Sequence, residues 1–177
     1  MGTYKEIEGD LIKFALQGLF NVISHGCNCQ NNMGAGIAPQ MVKAFGVDQY
    51  PLESFTRKGD ISKLGQIEWF LERDGTIPYV VNSYTQYNYG ANHKDGVSNP
   101  LDYEALTLCM RKINHTFKGK RIGLPKIGSG LAGGIWSIDE LSMNDQNTRK
   151  DLPEKDIRTI IQEELKDCDV TIVKYKP

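Results

Sequence analysis

The sequence predicts an α/β fold, with helices packed on both faces of a sheet. Three observations carry that reading. Short apolar runs of strand length alternate with stretches whose apolar residues recur at helical spacing. Two of these runs, Leu19-Phe-Asn-Val-Ile23 and Arg121-Ile-Gly-Leu124, lead directly into glycine-rich loops, His25–Gln40 and Leu124–Trp136. The 177 residues, 40% hydrophobic and 24% charged, have the size and composition of one ordinary globular domain. A strand, a glycine loop and a helix start together make an anion cradle. Glycine lets backbone N–H groups turn toward the anion, and the helix N-terminus adds a partial positive charge. Two such loops in one small chain predict a ligand gripped from two sides, such as a diphosphate.

Taken in order, Tyr4 to Ile7 reads as a first strand, ended by Gly9-Asp10, with a turn or short helix from Leu11. Leu19 to Ser24 is a buried strand by its apolar run. After the first loop, residues 25–36, a helix runs from Ile37 to Phe45. Pro39 falls in its first turn, where a missing N–H costs nothing, and Gly46 caps its end. A second helical piece spans Tyr50 to Arg57. Leu64 to Leu71 and Ile77 to Tyr84 read as strands joined by the turn Arg73-Asp74-Gly75. Residues 85–99 form a polar loop, and Asn99-Pro100 opens a helix carrying Tyr103, Leu106, Met110 and Ile113. Arg121 to Leu124 is a strand, followed by the second loop. Residues 142–153 are polar and read as irregular. Pro153 starts a helix to Leu165, and Val170 to Tyr175 closes the chain as a strand. The chain shows no internal repeat and no low-complexity tract.

Composition narrows the function. The formal net charge is −1, and no clustered basic run advertises a nucleic-acid surface. Nowhere are there the roughly 18 consecutive apolar residues that a membrane span needs. The first residues lack signal-peptide character, and Glu6 stands where a myristoylation pattern wants Ser or Thr. Cys27, Cys29, Cys109 and Cys168 match neither a disulfide framework nor a zinc knuckle. The expectation is a monomeric cytoplasmic domain in a reducing compartment, with no metal and no cofactor, and no nucleic-acid or membrane partner.

Gly9-Asp10-Leu11, the His25-to-Gln40 loop, the Pro125-to-Leu131 loop, Trp136 and the closing Val-Thr-Ile-Val strand occur in the order seen in macrodomains, and the chain resembles that family over nearly its whole length. The resemblance implies a three-layer α/β/α fold with a mixed, mostly parallel central sheet, and ADP-ribose or a 1″-substituted ADP-ribose as ligand. It is closest to a branch that includes a yeast ADP-ribose-1″-phosphate phosphatase and a human enzyme that removes ADP-ribose from acidic side chains. His25-Gly-Cys-Asn-Cys29 and Gly34-Ala-Gly-Ile-Ala-Pro-Gln40 are similar to the phosphatase. Met33-Gly-Ala-Gly-Ile-Ala38 and Pro125-Lys-Ile-Gly-Ser-Gly-Leu131 are similar to the human enzyme. That enzyme type uses a lysine and an aspartate where this chain has Ser83 and Ala132. Ser83 has no amine to attack a sugar aldehyde, and Ala132 has no carboxylate to act as a base.

The candidate ligand residues each carry a plainer alternative. The resemblance gives Asp10, with Leu11 beside it, the adenine amino group; Asp10 equally suits a helix N-cap. Gly34, Ala35, Gly36 and Ile37 are placed at the diphosphate and distal ribose, or simply turn the chain into its helix. Ile127, Gly128, Ser129, Gly130 and Leu131 mirror them, with N–H groups and the Ser129 hydroxyl toward the second side of the diphosphate. Among Asn28, Asn31 and Asn32, Asn28 is assigned the distal ribose. His25, read at the carboxyl end of the second strand, is the catalytic candidate, because its ordinary pKa suits proton transfer; the alternative is a structural histidine. His93 is second in line, and His115 reads as a helix-end partner. Cys27 and Cys29 read as small packing residues, Trp136 as core, and Tyr84 or Tyr87 as possible adenine stackers. The expected activity is binding of ADP-ribose with hydrolysis of ADP-ribose-1″-phosphate to ADP-ribose and phosphate. The alternatives are a reader without turnover, hydrolysis of ADP-ribose esters without the lysine–aspartate pair, and an RNA-binding or interaction module, against which the near-neutral charge argues.

Overall fold

The computed structural model describes residues 2–49, 59–70, 78–89 and 100–177. Their strands are β1 (Tyr4–Gly9), β2 (Val22–Asn28), β3 (Ile67–Phe70), β4 (Tyr79–Gln86), β5 (Arg121–Leu124) and β6 (Asp169–Tyr175). Their α-helices are α1 (Leu11–Leu16), α2 (Ala38–Phe45), α3 (Tyr103–Thr116), α4 (Met143–Thr148) and α5 (Ile157–Glu164). The strands form one sheet in the order β1-β6-β5-β2-β4-β3, parallel except for β3 against β4.

Alternation along each strand feeds two cores. Val22, Val81, Ile122, Leu124, Val170 and Ile172 face α3 and α5, meeting Leu106, Met110, Ile113, Ile157 and Ile161. Ile23, Val80 and Val173 face the other way, onto Leu11, Ala15, Met41 and Phe45 of α1 and α2. The result is the expected three-layer α/β/α arrangement with a mixed, mostly parallel sheet. Carboxylates start α1, α3 and α5. Asp10, Asp102 and Asp156 accept N–H bonds from Lys13, Ala105 and Thr159. Gly46, at φ 63°, ends α2 with its N–H on the Val42 carbonyl.

Some boundaries differ from the sequence reading. The second strand starts at Val22 and runs to Asn28. Polar Ser24, His25 and Asn28 belong to it because pairing to β4 continues through Asn28. Residues 142–153 include α4, started by Ser142, whose hydroxyl accepts the Asp145 N–H at 3.1 Å. The last helix begins at Ile157, not Pro153, because Asp156 is its cap and also takes the Ile138 N–H at 2.8 Å. The predicted helix at 50–57, the turn at 73–75, and residues 90–99 with His93 lie outside the described residues. Among the described residues, no helix is long and apolar enough to cross a membrane.

Candidate functional site

Topology decides where the two glycine loops go. β2 and β5 are parallel neighbours, so the chain leaves both at the same edge of the sheet. Their loops therefore flank one cleft, at the carboxyl ends where ligands of open α/β sheets sit. Gly26 makes the approach close: a Cβ there would meet Thr85 Oγ1 at 3.0 Å and Ile127 Cγ1 at 3.2 Å. Ile127, 2% exposed, can thus lie over the end of β2.

The cleft has two adjoining compartments. A mainly apolar one of about 440 Å³ is lined by Asp10, Leu11, Gln40, Val173 and Tyr175. A more polar one of about 470 Å³ is lined by Gly26, Asn28, Asn32, Gln86, Tyr89, Ala132 and both glycine loops. Gly36, Ile37, Pro125 and Lys126 border both, forming the waist between them. Both volumes fall in the usual range for small-molecule and cofactor sites. Lys126 is the charged residue of the polar compartment among its described lining residues. Its ammonium also lies 5.6 Å from the centre of the Trp136 ring.

The waist and the polar compartment are rich in open donors. Among the described residues, the N–H groups of Ala35, Gly36 and Ile37, and of Gly128, Gly130 and Leu131, reach no protein acceptor. The N-cap of α2 is apolar Ile37, without a side-chain cap bond, so the helix start is left open at the cleft. Gly36 (φ 64°) and Gly128 (φ 77°) hold backbone conformations that a side chain would strain.

Most of the sequence-predicted ligand residues meet here. Asp10, Leu11, Gly36 and Ile37 line the apolar compartment. Asn28, Gly34, Ala35, Gly36, Ile37, Ile127, Gly128, Gly130 and Leu131 line the polar one. Asp10 caps α1 through Oδ1 and at the same time lines the apolar compartment.

Four placements correct the sequence reading. His25 is not at the end of its strand, since β2 continues past it to Asn28. It is fully buried, off the cleft lining, with Nε2 at 2.7 Å from Asn82 Oδ1. Asn82 Nδ2 donates to the Val47 carbonyl, so Asn82 Oδ1 accepts and His25 Nε2 carries the proton. Burial pulls the imidazole pKa down to about 4, against the opposing effect of the Asn82 bond. Second, Ser129 turns inward. Its hydroxyl donates to the Lys126 carbonyl at 2.7 Å, bracing the loop instead of offering itself to a ligand. Third, Asn28 spends its amide on Asn32: Nδ2 donates to the Asn32 carbonyl at 2.8 Å and Oδ1 accepts the Asn32 N–H at 3.0 Å. It braces the first loop, and exposed Asn32 presents the amide at the rim. Fourth, Tyr84 is wholly buried, and half-buried Tyr87 packs against Cys27, Cys29 and Tyr84 with its hydroxyl donating to the Gly59 carbonyl at 2.8 Å; neither is among the described residues lining the two compartments.

Ser83 shares a 2.7 Å hydrogen bond with Ser24 in the interior, while Ala132 lines the polar compartment. Cys27 and Cys29 are buried free thiols whose pKa burial pushes up, Cys29 to about 11. Among the described residues, no cluster of ligands fits a metal ion. Sequence reasoning missed Lys126, Tyr175, Tyr89 and Gln86. Lys126 stood inside the quoted Pro125-to-Leu131 motif. Tyr175 carried no local signal, because only the pairing of β6 with β1 brings it beside Asp10.

No protein-family model matches the chain. The macrodomain of Thermus aquaticus DarG superposes with a TM-score of 0.60 at 19% identity, covering 100% of both chains. Thermosipho africanus DarTG in complex with ADP-ribose superposes at 0.64 and 15% identity, over 100% of this chain and 42% of that one. An uncharacterized 17.5 kDa protein from the tk-vs intergenic region of Enterobacteria phage T4 is 35% identical over 141 residues, covering 77% of this chain and 84% of its own. With the fold of macrodomains around a two-compartment cleft, the chain belongs to the family of that phage T4 protein.

Proposed function

We propose that the cleft binds ADP-ribose. The adenosine end takes the apolar compartment, with the adenine amino group on Asp10. The diphosphate crosses the waist, and the distal ribose fills the polar compartment near Asn32. One observation carries the reading: two sets of unbonded N–H groups, from loops of adjacent strands, flank a waist that also holds Lys126. Backbone donors and a helix start favour an anion at that point. The DarTG protein that shares the fold was obtained with ADP-ribose bound, which supports the same ligand class here. Calorimetric titration tests it. ADP-ribose should bind with a micromolar-order constant, about −8 kcal/mol. AMP should bind more weakly, having one phosphate and no distal ribose. Equal affinity for the two would remove the waist from the site.

A finer reading is hydrolysis of ADP-ribose-1″-phosphate to ADP-ribose and phosphate. It keeps one supporting observation: the described lining of the polar compartment combines Lys126 and open N–H donors with no carboxylate. Such a lining suits an extra phosphate, and phosphoryl transfer draws largely on positioning and charge stabilisation. With His25 off the cleft, no described lining side chain is a ready proton-transfer group. Phosphate release from ADP-ribose-1″-phosphate decides between the two: tight binding without release leaves a reader.

A further inference from the structure

Behind the first loop lies a buried polar cluster that the ligand of the preceding reading does not touch. Lys63, 1% exposed, comes from the 3-10 turn Ile61–Lys63; Glu68 lies on β3 and Tyr84 on β4. Asn31, from the first loop, joins them. At φ 55° it is the one non-glycine residue in the left-handed region among the described residues.

The bonds run in one direction. Lys63 Nζ donates to Asn31 Oδ1 and also lies 3.5 Å from the Cys29 carbonyl oxygen. Asn31 Nδ2 donates to the Tyr84 hydroxyl at 3.1 Å, and that hydroxyl donates to the Glu68 carboxylate. The ammonium also stands 5.3 Å from the centre of the Tyr84 ring. A buried cation and a buried anion are thus connected through one amide and one phenol. Asn31 is the member whose removal interrupts the connection. Apolar residues of similar volume would hold these strands together without burying charge. What the cluster supplies beyond packing is a fixed orientation for Asn31.

That orientation passes into the loop. The Asn31 N–H bonds the Asn28 carbonyl at 3.0 Å. Asn28 clamps both backbone groups of Asn32, and Asn32 Oδ1 takes the Gly34 N–H at 3.1 Å. The next residues, Ala35, Gly36 and Ile37, carry the open N–H groups of the cleft. We propose that Lys63, Glu68 and Tyr84 are positioning residues: acting through Asn31, they hold the first loop so that its N–H groups meet the anionic part of the ligand, and so set the preference for a diphosphate-bearing nucleotide over the bare nucleoside. The proposal rests on the cleft being an ADP-ribose site.

The test compares the unaltered protein with Asn31→Gly and with the double variant Lys63→Met/Glu68→Gln. Glycine keeps the left-handed turn while deleting both side-chain bonds. The double variant removes both buried charges together, so neither is stranded. ADP-ribose and adenosine affinities are measured by calorimetry, and amide hydrogen exchange is followed in the ligand-free protein. ADP-ribose affinity should fall about tenfold or more in each variant through lost preorganisation, with adenosine affinity within about twofold. Exchange at Asn31, Asn32 and Gly34 should speed up by about tenfold or more, while β5 and β6 amides hold their rates. A merely structural cluster would raise exchange throughout and leave the ADP-ribose-to-adenosine ratio unchanged; either result overturns the proposal. If the unaltered protein does not bind ADP-ribose, the functional reading fails by itself, and unchanged loop exchange in the variants would refute the positioning claim separately.

Discussion

Replacing His25 by glutamine should flatten the acid side of the stability profile. In the folded protein the imidazole is fully buried and its pKa is held down to about 4, from 6.5 in an exposed chain. At pH 7 both states carry a neutral ring. Below about pH 6.5 the unfolded chain takes up a proton that the folded state refuses until about pH 4. The unfolded state binds more protons in that window, so stability is full above it and falls as pH drops through it. At about 1.4 kcal/mol for each unit of pKa, the loss approaches about 3 kcal/mol by pH 4. That is a large share of the roughly 5–15 kcal/mol typical of a domain. Glu6 overlaps only the acid end of this window and is common to both proteins, so it cancels in their comparison. Burial raises its pKa, but bonds from Tyr4, Arg158 and Lys174 outweigh that and bring it to about 2 from 4.5, so its contribution is held above about pH 4.5 and lost as pH falls from there toward about 2. Glutamine can donate to Asn82 Oδ1 from a similar position but does not titrate. Urea unfolding between pH 7.5 and 4 would measure both proteins. The unaltered chain should lose stability from about pH 6.5 downward, and His25→Gln should hold nearly level to about pH 4.5. Parallel profiles, or an imidazole resonance titrating near its ordinary value, would refute the buried neutral histidine.

Glycines of the second loop should separate binding from folding. A Cβ at Gly130 meets open space, so Gly130→Glu should keep its melting temperature and lose ADP-ribose binding by calorimetry. Gly128, at φ 77° with its Cβ direction 2.9 Å from Leu101, should instead lower stability by about 1–3 kcal/mol in urea when changed to alanine. For Asp10, Asn can replace the helix cap, so Asp10→Asn should unfold within about 0.5 kcal/mol of the parent while Asp10→Ala loses about 1 kcal/mol. Both should weaken the preference for adenine over hypoxanthine nucleotides in competition binding; a preserved preference reassigns Asp10 to capping alone. Lys126→Met should reduce ADP-ribose affinity about tenfold and flatten its salt dependence, leaving adenosine unchanged.

The motifs were legible because local chemistry wrote them. Pro39 and Gly46 bracket α2, and Arg121–Leu124 is a strand in both readings. The β2 boundary was not legible, because a polar run of Ser24, His25 and Asn28 is extended only by pairing with β4. His25 misled for the same reason. Its residue type suits catalysis, but burial and Asn82 decide its protonation, and neither has a sequence signature. Asn28 and Ser129 were singled out by residue type, but which way an amide or hydroxyl turns depends on its nearest backbone partners.

The α/β alternation, the two glycine loops and the absence of a lysine–aspartate pair at Ser83 and Ala132 were determined by the sequence itself. These rest on side-chain periodicity, on backbone freedom at glycine and on the chemistry a residue type can offer. The tertiary structure alone decided that both loops share one cleft, because that requires β2 and β5 to be neighbours. It placed Tyr175 near Asp10 through the pairing of β6 with β1, and carried Lys63 and Glu68 beneath the first loop. Strand order is set by long-range packing of two apolar faces, which no local stretch of residues encodes. Burial, which turned His25 neutral and joined Lys63 to Glu68 through Asn31, follows only once that order is made.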